Sequence, residues 1–464
     1  MKNTLVLSLA CLAQSTSALV LHERAQPATV QYDIHRRQGV SHPRHKRSTP
    51  ASVDLTNNEV SYTITLNLGT PGQPVEVILD TGSSDLWVNA GNSSSDNPYG
   101  TFDSSSSSTF KTVNDEFAIA YVDGSAAVGD YVTDTVAFGN VTLKTFQFGL
   151  ADESSTQQGV LGVGYASNEF AELRNDEEYA NLPQALVNQG YIKSAAYSLW
   201  LDDIDAGKGT ILFGGINTAK YTGSLHSLPI QAEDGVYSEF AVNLSGVHVT
   251  KSGKDISVNN TAFPVLAVLD SGTSLTYLPS GTALDIIETV GAEYFESQGL
   301  AVIKCDDAKD SDYEVVFEFS GFNLSISLSD LLVEATFGYC AFGIAPESST
   351  ASGGVYLLGD TFLRSAYVVY DLANNEIYLA KTNTNPGSDH VLEIGTGATA
   401  VPQVTGSPIT QTATATAATG HATGKSDSSS DDKENGTVTA ISRSSGLGSL
   451  LVGVSSFLAL LVAL

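Results

Sequence analysis

The stretch VILDTGSSDLWV, Val77–Val88, decides how the rest of this chain is read. Three apolar residues run into Asp80, and a second apolar group, Leu86-Trp87-Val88, follows shortly after. A carboxylate in such surroundings is costly to bury unless something compensates it. Taken alone, Asp80 before Thr81-Gly82 reads as a turn residue closing a strand, because Asp-Thr-Gly is good turn chemistry. The chain, however, contains a second copy. AVLDSGTSLTYL, Ala267–Leu278, repeats the order: apolar residues, Asp270, Ser271-Gly272, Thr273-Ser274 and apolar Leu275. An Asp-Ser/Thr-Gly triplet is expected about 0.2 times by chance in a chain of this length. Two, each behind an apolar strand-like run, form a paired signal.

The repeat extends beyond the triplets. GVLGVG (159–164) follows Asp80 and YLLGDT (356–361) follows Asp270, each setting an apolar pair before a glycine, Gly162 and Gly359. The chain therefore reads as a diverged duplication with two lobes. Two carboxylates brought within a few ångströms cannot both ionise, so they share a proton and titrate as a pair. The ionised member can take a proton from water, and the protonated member can give one to a carbonyl oxygen. Gly82 and Gly272 let backbone N–H groups approach the carboxylates, and the hydroxyls of Ser83 and Thr273 can donate to the outer oxygens.

Around these two loops, residues 55–383 consist of short strand-like runs separated by Gly, Ser, Asn and Asp. Alternation and β-branched enrichment mark strands in VSYTITLNLG, FAIAYVDGS and AYVVYDLANNEIYLA, the last holding a hairpin at DLANNEIYLA. Helices are expected only at 181–190 and at 280–295, the second opening on a Ser N-cap. The fold class is all-β with a few short helices. The formal net charge of −29 over 464 residues argues against a nucleic-acid partner.

The ends carry a different code. Residues 1–18 read as a secretory signal, with Lys2, an apolar stretch Leu5–Ala13, and small Thr16 and Ala18 at the cut. Residues 19–47 form a basic propeptide ending in Lys46-Arg47, a dibasic site for a processing protease; Arg36-Arg37 is a second, weaker site. The peptidase-like body is set at 48–384, with an N-lobe at about 55–220 and a C-lobe at about 221–383. Residues 385–435 are Thr/Ala/Ser-rich and read as a disordered stalk. The chain ends in GLGSLLVGVSSFLALLVAL, which is either a retained span or the tail of a GPI-attachment signal. No polar flank follows Leu464, which favours the signal, with Asn435 as the attachment residue and 436–464 removed. These features place the protein in the secretory pathway and at the cell surface, on the plasma membrane or in the cell wall. Cys11 leaves with the signal, so Cys305 and Cys340 most simply pair. Two cysteines and scattered histidines do not make a metal site, and no cofactor is expected. Sequons at Asn92, Asn140, Asn243, Asn259, Asn323 and Asn435 are compatible with N-glycosylation.

DTGSSDLWV and DSGTS, reinforced by GVLGVG and LLGDTFLRSAYVVYD, resemble the pepsin-type aspartic proteases, and most closely their fungal yapsin-like and candidapepsin-like branch. The resemblance covers residues 55–383. It implies a bilobal, pseudo-twofold fold with Asp80 and Asp270 as the dyad and Thr81 and Ser271 bonded across the lobe interface. It further implies a flap hairpin carrying Tyr121, Asp123 and Gly124, with Trp87 supporting the Tyr121 hydroxyl, and it matches Cys305–Cys340 to the family's C-lobe disulfide. The flap departs from the commoner pattern in carrying Val122, and the N-lobe has no cysteine pair. The implied function is a monomeric surface endopeptidase, made as a zymogen and cleaving peptides and proteins at acid pH. Preference for basic residues near the scissile bond is a further expectation, assigned to Asp123. The alternative is a non-catalytic GPI-anchored glycoprotein that binds peptides in the cleft. A Ser/His hydrolase has little support, because His226, His248, His390 and His421 sit in no nucleophile-like context.

Overall fold

The computed structural model describes residues 27–38, 60–91, 97–175, 178–203, 206–336, 338–347 and 356–402. Lys46-Arg47, Asn92, Asn435, the signal and the apolar tail lie outside them. Both Asp-bearing loops are built by the same local device. Strand Gln73–Asp80 runs parallel to Gly159–Gly162, with Asp80 beside Gly162, while Leu86–Asn89 returns antiparallel to that same strand. In the other lobe Val265–Leu269 runs parallel to Tyr356–Leu358, and Thr276–Leu278 returns antiparallel to it. Each loop thus crosses over its apolar-apolar-Gly strand. A Cβ on Gly162 would lie 2.4 Å from the Ser84 nitrogen, and one on Gly359 2.2 Å from the Leu275 carbonyl oxygen. Only glycine fits where the two chains cross.

Among the described residues the N-lobe strands and a central sheet form one continuous thirteen-stranded sheet, and an eight-stranded sheet forms the C-lobe. A four-stranded sheet on the C-lobe carries Cys340 in strand Tyr339–Phe342, bonded to Cys305 at the start of a short helix. Helix Leu182–Asn188 begins at Asn181, whose Nδ2 donates to the Gly164 carbonyl at 2.7 Å. The helix expected at 280–295 is shorter. It spans Ser280–Val290 and stops at Gly291, which takes φ 79°, so Glu293–Phe295 becomes a strand. Its N-cap is Pro279, not Ser280, with no side-chain cap. The hairpin Ala366–Asp371/Glu376–Thr382 closes where the Asn374 N–H and Nδ2 donate to Asp371.

The central strands alternate cleanly between two cores. Tyr197, Leu199, Leu201, Val368 and Tyr370 face the main core, which also holds Leu79 and Leu269 just ahead of the two aspartates. Ala196, Trp200, Tyr367 and Val369 face the opposite way. That underside is covered by the segment that follows the last strand, which corrects the stalk boundary at 385. Val391–Glu393 pairs with Gly215–Asn217, the Ile394 N–H donates to the Gly214 carbonyl at 2.8 Å, and Ile394, Ala400 and Val401 are buried against the aromatic face. The packed body therefore runs to residue 402. Ile394→Asp would put a carboxylate among Trp200, Tyr367 and Ile216 and is expected to cost about 3 kcal/mol or more. The expected drop in Tm is about 6 °C by thermal unfolding, against none for Thr399→Asp at an exposed position of the same segment. Equal melting of the two variants would return this segment to the stalk.

The leader also contributes. Val30–Gln38 is inserted between Lys208–Phe213 and Val60–Leu68, antiparallel to both, and buries Val30 and Ile34. Arg36-Arg37 lies within this strand, opposite Tyr62 and Ser61, with the Arg36 N–H bonded to the Gly207 carbonyl. A processing protease needs an accessible extended segment, so Arg36-Arg37 is withdrawn as a cleavage site in the folded chain. Asn243 is withdrawn as a glycan site. It is 3 % exposed in a strand paired on both sides, which leaves no room for an oligosaccharide. Asn140, Asn259 and Asn323 are exposed.

Candidate active site

Asp80 ends one strand and Asp270 directly follows another, and the two side chains are 6 % and 8 % exposed. Each carboxylate is held in the same way. Asp80 Oδ1 accepts the Gly82 N–H at 2.8 Å and Asp270 Oδ1 accepts the Gly272 N–H at 2.8 Å. The outer oxygens accept the hydroxyls of Ser83 and Thr273. The loops face each other closely: a Cβ on Gly82 would lie 2.6 Å from Asp270 Oδ1, and one on Gly272 2.4 Å from Asp80 Oδ1. Side chains at these two positions would part the carboxylates.

Four reciprocal bonds tie the loops together. Thr81 Oγ1 donates to the Leu269 carbonyl at 2.8 Å and Ser271 Oγ to the Leu79 carbonyl at 2.9 Å. In return, the Ser271 N–H donates to Thr81 Oγ1 at 2.9 Å and the Thr81 N–H to Ser271 Oγ at 3.2 Å. All these groups are buried, so each bond also satisfies a polar atom that water cannot reach. Burial first, and then the facing Asp270, hold the Asp80 carboxyl well above the usual carboxylate range, against the opposing bonds from Ser83 and Gly82. The Asp80 carboxyl thus resists ionising beside Asp270.

Tyr121 and Gly124 lie in the turn between strands Lys111–Ala120 and Ala126–Phe138. The Tyr121 N–H donates to the Ser125 carbonyl and the Gly124 N–H to the Tyr121 carbonyl. The buried Trp87 Nε1 donates to the Tyr121 hydroxyl at 2.8 Å. Asp123 is exposed, and its Oδ1 accepts both the N–H and the hydroxyl of Ser125, at 2.8 and 2.7 Å. Its carboxylate is thus spent on forming the turn.

Sequence reasoning passed over Asp85, although it stands in the decisive stretch. Asp85 is 1 % exposed and accepts the hydroxyls of Tyr131 and Tyr179 and the Phe170 N–H. Burial raises its proton affinity, and Glu169, which accepts the Tyr179 N–H, is likewise raised by burial to about 10. The tyrosines belong to the aromatic cluster around Trp87 and Phe117, against which Tyr121 also packs. Asp360 was also missed: it follows Gly359, its N–H donates to the Thr273 carbonyl, and burial pushes its carboxyl well up. The signal available for Asp85 was an acid next to the apolar Leu86-Trp87-Val88, and for Asp360 its place directly after the repeated apolar-apolar-Gly segment.

His226 stacks on Phe322, His248 bonds Glu318 at 2.6 Å, and His390 bonds Thr218 at 2.7 Å; among the described residues none is bonded to either Asp-bearing loop. Among the described residues no three His, Cys, Asp or Glu side chains converge as a metal site.

Residues 61–382 match the family model described as eukaryotic aspartyl protease. The chain is 45 % identical over 426 residues to the probable aspartic-type endopeptidase opsB of Aspergillus oryzae, with 87 % of this chain and 86 % of the relative covered. It is 36 % identical over 356 residues to the aspartic proteinase yapsin-3 of Saccharomyces cerevisiae, with 73 % and 69 % covered. The crystal structure of the aspartic proteinase from Irpex lacteus superposes with a TM-score of 0.60 at 20 % identity, over 77 % of this chain and 99 % of that one, and so shares the fold. The chain belongs to the eukaryotic aspartyl protease family and is an aspartic-type endopeptidase.

Proposed function

We propose that Asp80 and Asp270 are the catalytic dyad of a secreted, cell-surface endopeptidase working at acid pH. The observation that carries this reading is the mirrored pair of carboxylates, each with an inner oxygen on a backbone N–H and an outer oxygen on a hydroxyl. The ionised member draws a proton from the attacking water while the protonated member donates to the scissile carbonyl oxygen. Collapse of the tetrahedral intermediate returns that proton and delivers the other to the leaving amine. The flap turn closes over the substrate, with Tyr121 oriented by Trp87.

The basic leader, Lys46-Arg47 and the tail with Asn435 support a zymogen cut by a processing protease and attached through GPI. The acidic body supports a preference for basic residues near the scissile bond, as the resemblance to the yapsin-like branch implies. Cleavage of a peptide library at acid pH, blocked by pepstatin, is the expected result for the processed enzyme. Cleavage insensitive to pepstatin would remove the dyad from the reaction.

A further inference from the structure

Strand Ala241–Lys251 lies antiparallel to Val265–Leu269, with Ala241 opposite Val268, and the Leu269 N–H donates to the Phe240 carbonyl at 3.2 Å. One further step along this register sets Glu239 beside Asp270. Phe240 is fully buried between Tyr165 and Tyr370, so the alternation of an extended chain sends the Glu239 side chain away from that core. The preceding backbone is pinned: Ser167 Oγ donates to the Tyr237 carbonyl, and the Tyr237 ring stacks on Tyr165 at 6.3 Å.

Glu239 is half-buried, and among the described residues no donor or cation reaches its carboxyl. The titratable groups acting on it are both acids, Glu233 from the turn before it and Asp270 from the adjacent loop. A half-buried carboxylate between like charges lacks the cation that would compensate it. We propose that Glu239 selects a lysine or arginine side chain next to the scissile bond. This rests on the basic-residue reading above and moves it from Asp123, whose carboxylate already accepts two bonds within its own turn.

The position also gives the selectivity a pH signature. Burial, then Glu233 and Asp270, hold the Glu239 carboxyl up at about 7. Below that value the free side chain is neutral, and an incoming cation must displace its proton to form the pair. The advantage of lysine over an uncharged isostere therefore grows as pH rises toward about 7, by at most about tenfold per pH unit.

The test uses the processed enzyme and peptides that differ only in lysine or norleucine at either position flanking the bond. The ratio of kcat/KM values is measured on one preparation from about pH 4 to about pH 7, so the amount of folded enzyme and the dyad's own titration cancel. The wild type is expected to favour lysine increasingly with pH. Glu239→Gln is expected to lower the ratio about tenfold near pH 7 and flatten its pH dependence, while Glu239→Asp keeps the slope in part. A wild type indifferent to lysine at every pH overturns the basic preference and this assignment together. A wild type that shows the preference and a Glu239→Gln enzyme that keeps it overturn only the assignment, as does flattening by Asp123→Asn in its place.

Discussion

The Asp80→Asn and Asp270→Asn variants are each expected to lose at least about 10³-fold in kcat/KM on a peptide at acid pH. An amide can accept the Gly82 or Gly272 N–H as the carboxylate does. It cannot take a proton from water at any working pH, and it cannot hand one to a carbonyl oxygen. In the proposed mechanism the two acids act as a unit on one shared proton, so the double variant is expected to be little worse than either single one. Loss through misfolding is separable by stability. Asp80 is a buried acid beside another, so a neutral amide there is expected to raise Tm at neutral pH, not lower it. Peptide kinetics paired with thermal unfolding check both points. A single variant retaining more than about a tenth of the activity would take that residue out of the proton relay.

The folded body is expected to be most stable in acid and to weaken as pH rises, with Tm falling by at least ~10 °C between about pH 4 and about pH 8. Asp80, Asp85, Glu169, Glu239 and Asp360 all have carboxyls raised in the fold, burial being the first cause in each. For a raised group the sign is fixed. Its stabilisation is fully present below the unfolded value, near 4, and is lost as pH climbs through the folded value. Glu239 sets part of that loss up to about 7, and Glu169 extends it toward about 10. Glu169→Gln removes one of these titrations and is expected to shrink the fall, measured by thermal scans across the range. A Tm that is flat or rises toward neutral pH would mean that these acids ionise freely in the fold.

The two predictions draw on residues of unequal legibility. Asp80 and Asp270 could be read directly, because their loops repeat a dense order of apolar run, acid, hydroxyl and glycine. The glycines of GVLGVG and YLLGDT were legible as a repeat, and the crossing chains explain them: Ser84 and Leu275 leave no room for a side chain. Asp85 lay in plain view but has no counterpart in the second copy, where Leu275 stands. Its burial is made by Tyr131, Tyr179 and Phe170, which come from distant segments. Glu239 had no local mark at all, since nothing in YSEF announces that Asp270 stands beside it. The segment 385–402 read as stalk because Ile394, Ala400 and Val401 are too sparse to make a period. They are buried only because Trp200 and Tyr367 already present an apolar face.

By itself the sequence determined the all-β class, the duplication and the pair of acids, because turn chemistry, strand alternation and a repeated motif are properties of neighbouring residues. Tertiary structure alone decided that the leader strand joins the central sheet, that the 385–402 segment packs beneath it in a separate two-stranded pairing with Gly215–Asn217, that Asn243 is sealed, and that Asp85 is buried. The physical reason is that burial and proton affinity belong to a position's surroundings. Those surroundings are assembled from chain segments as far apart as Leu79 and Ser271, whose bond spans 192 positions.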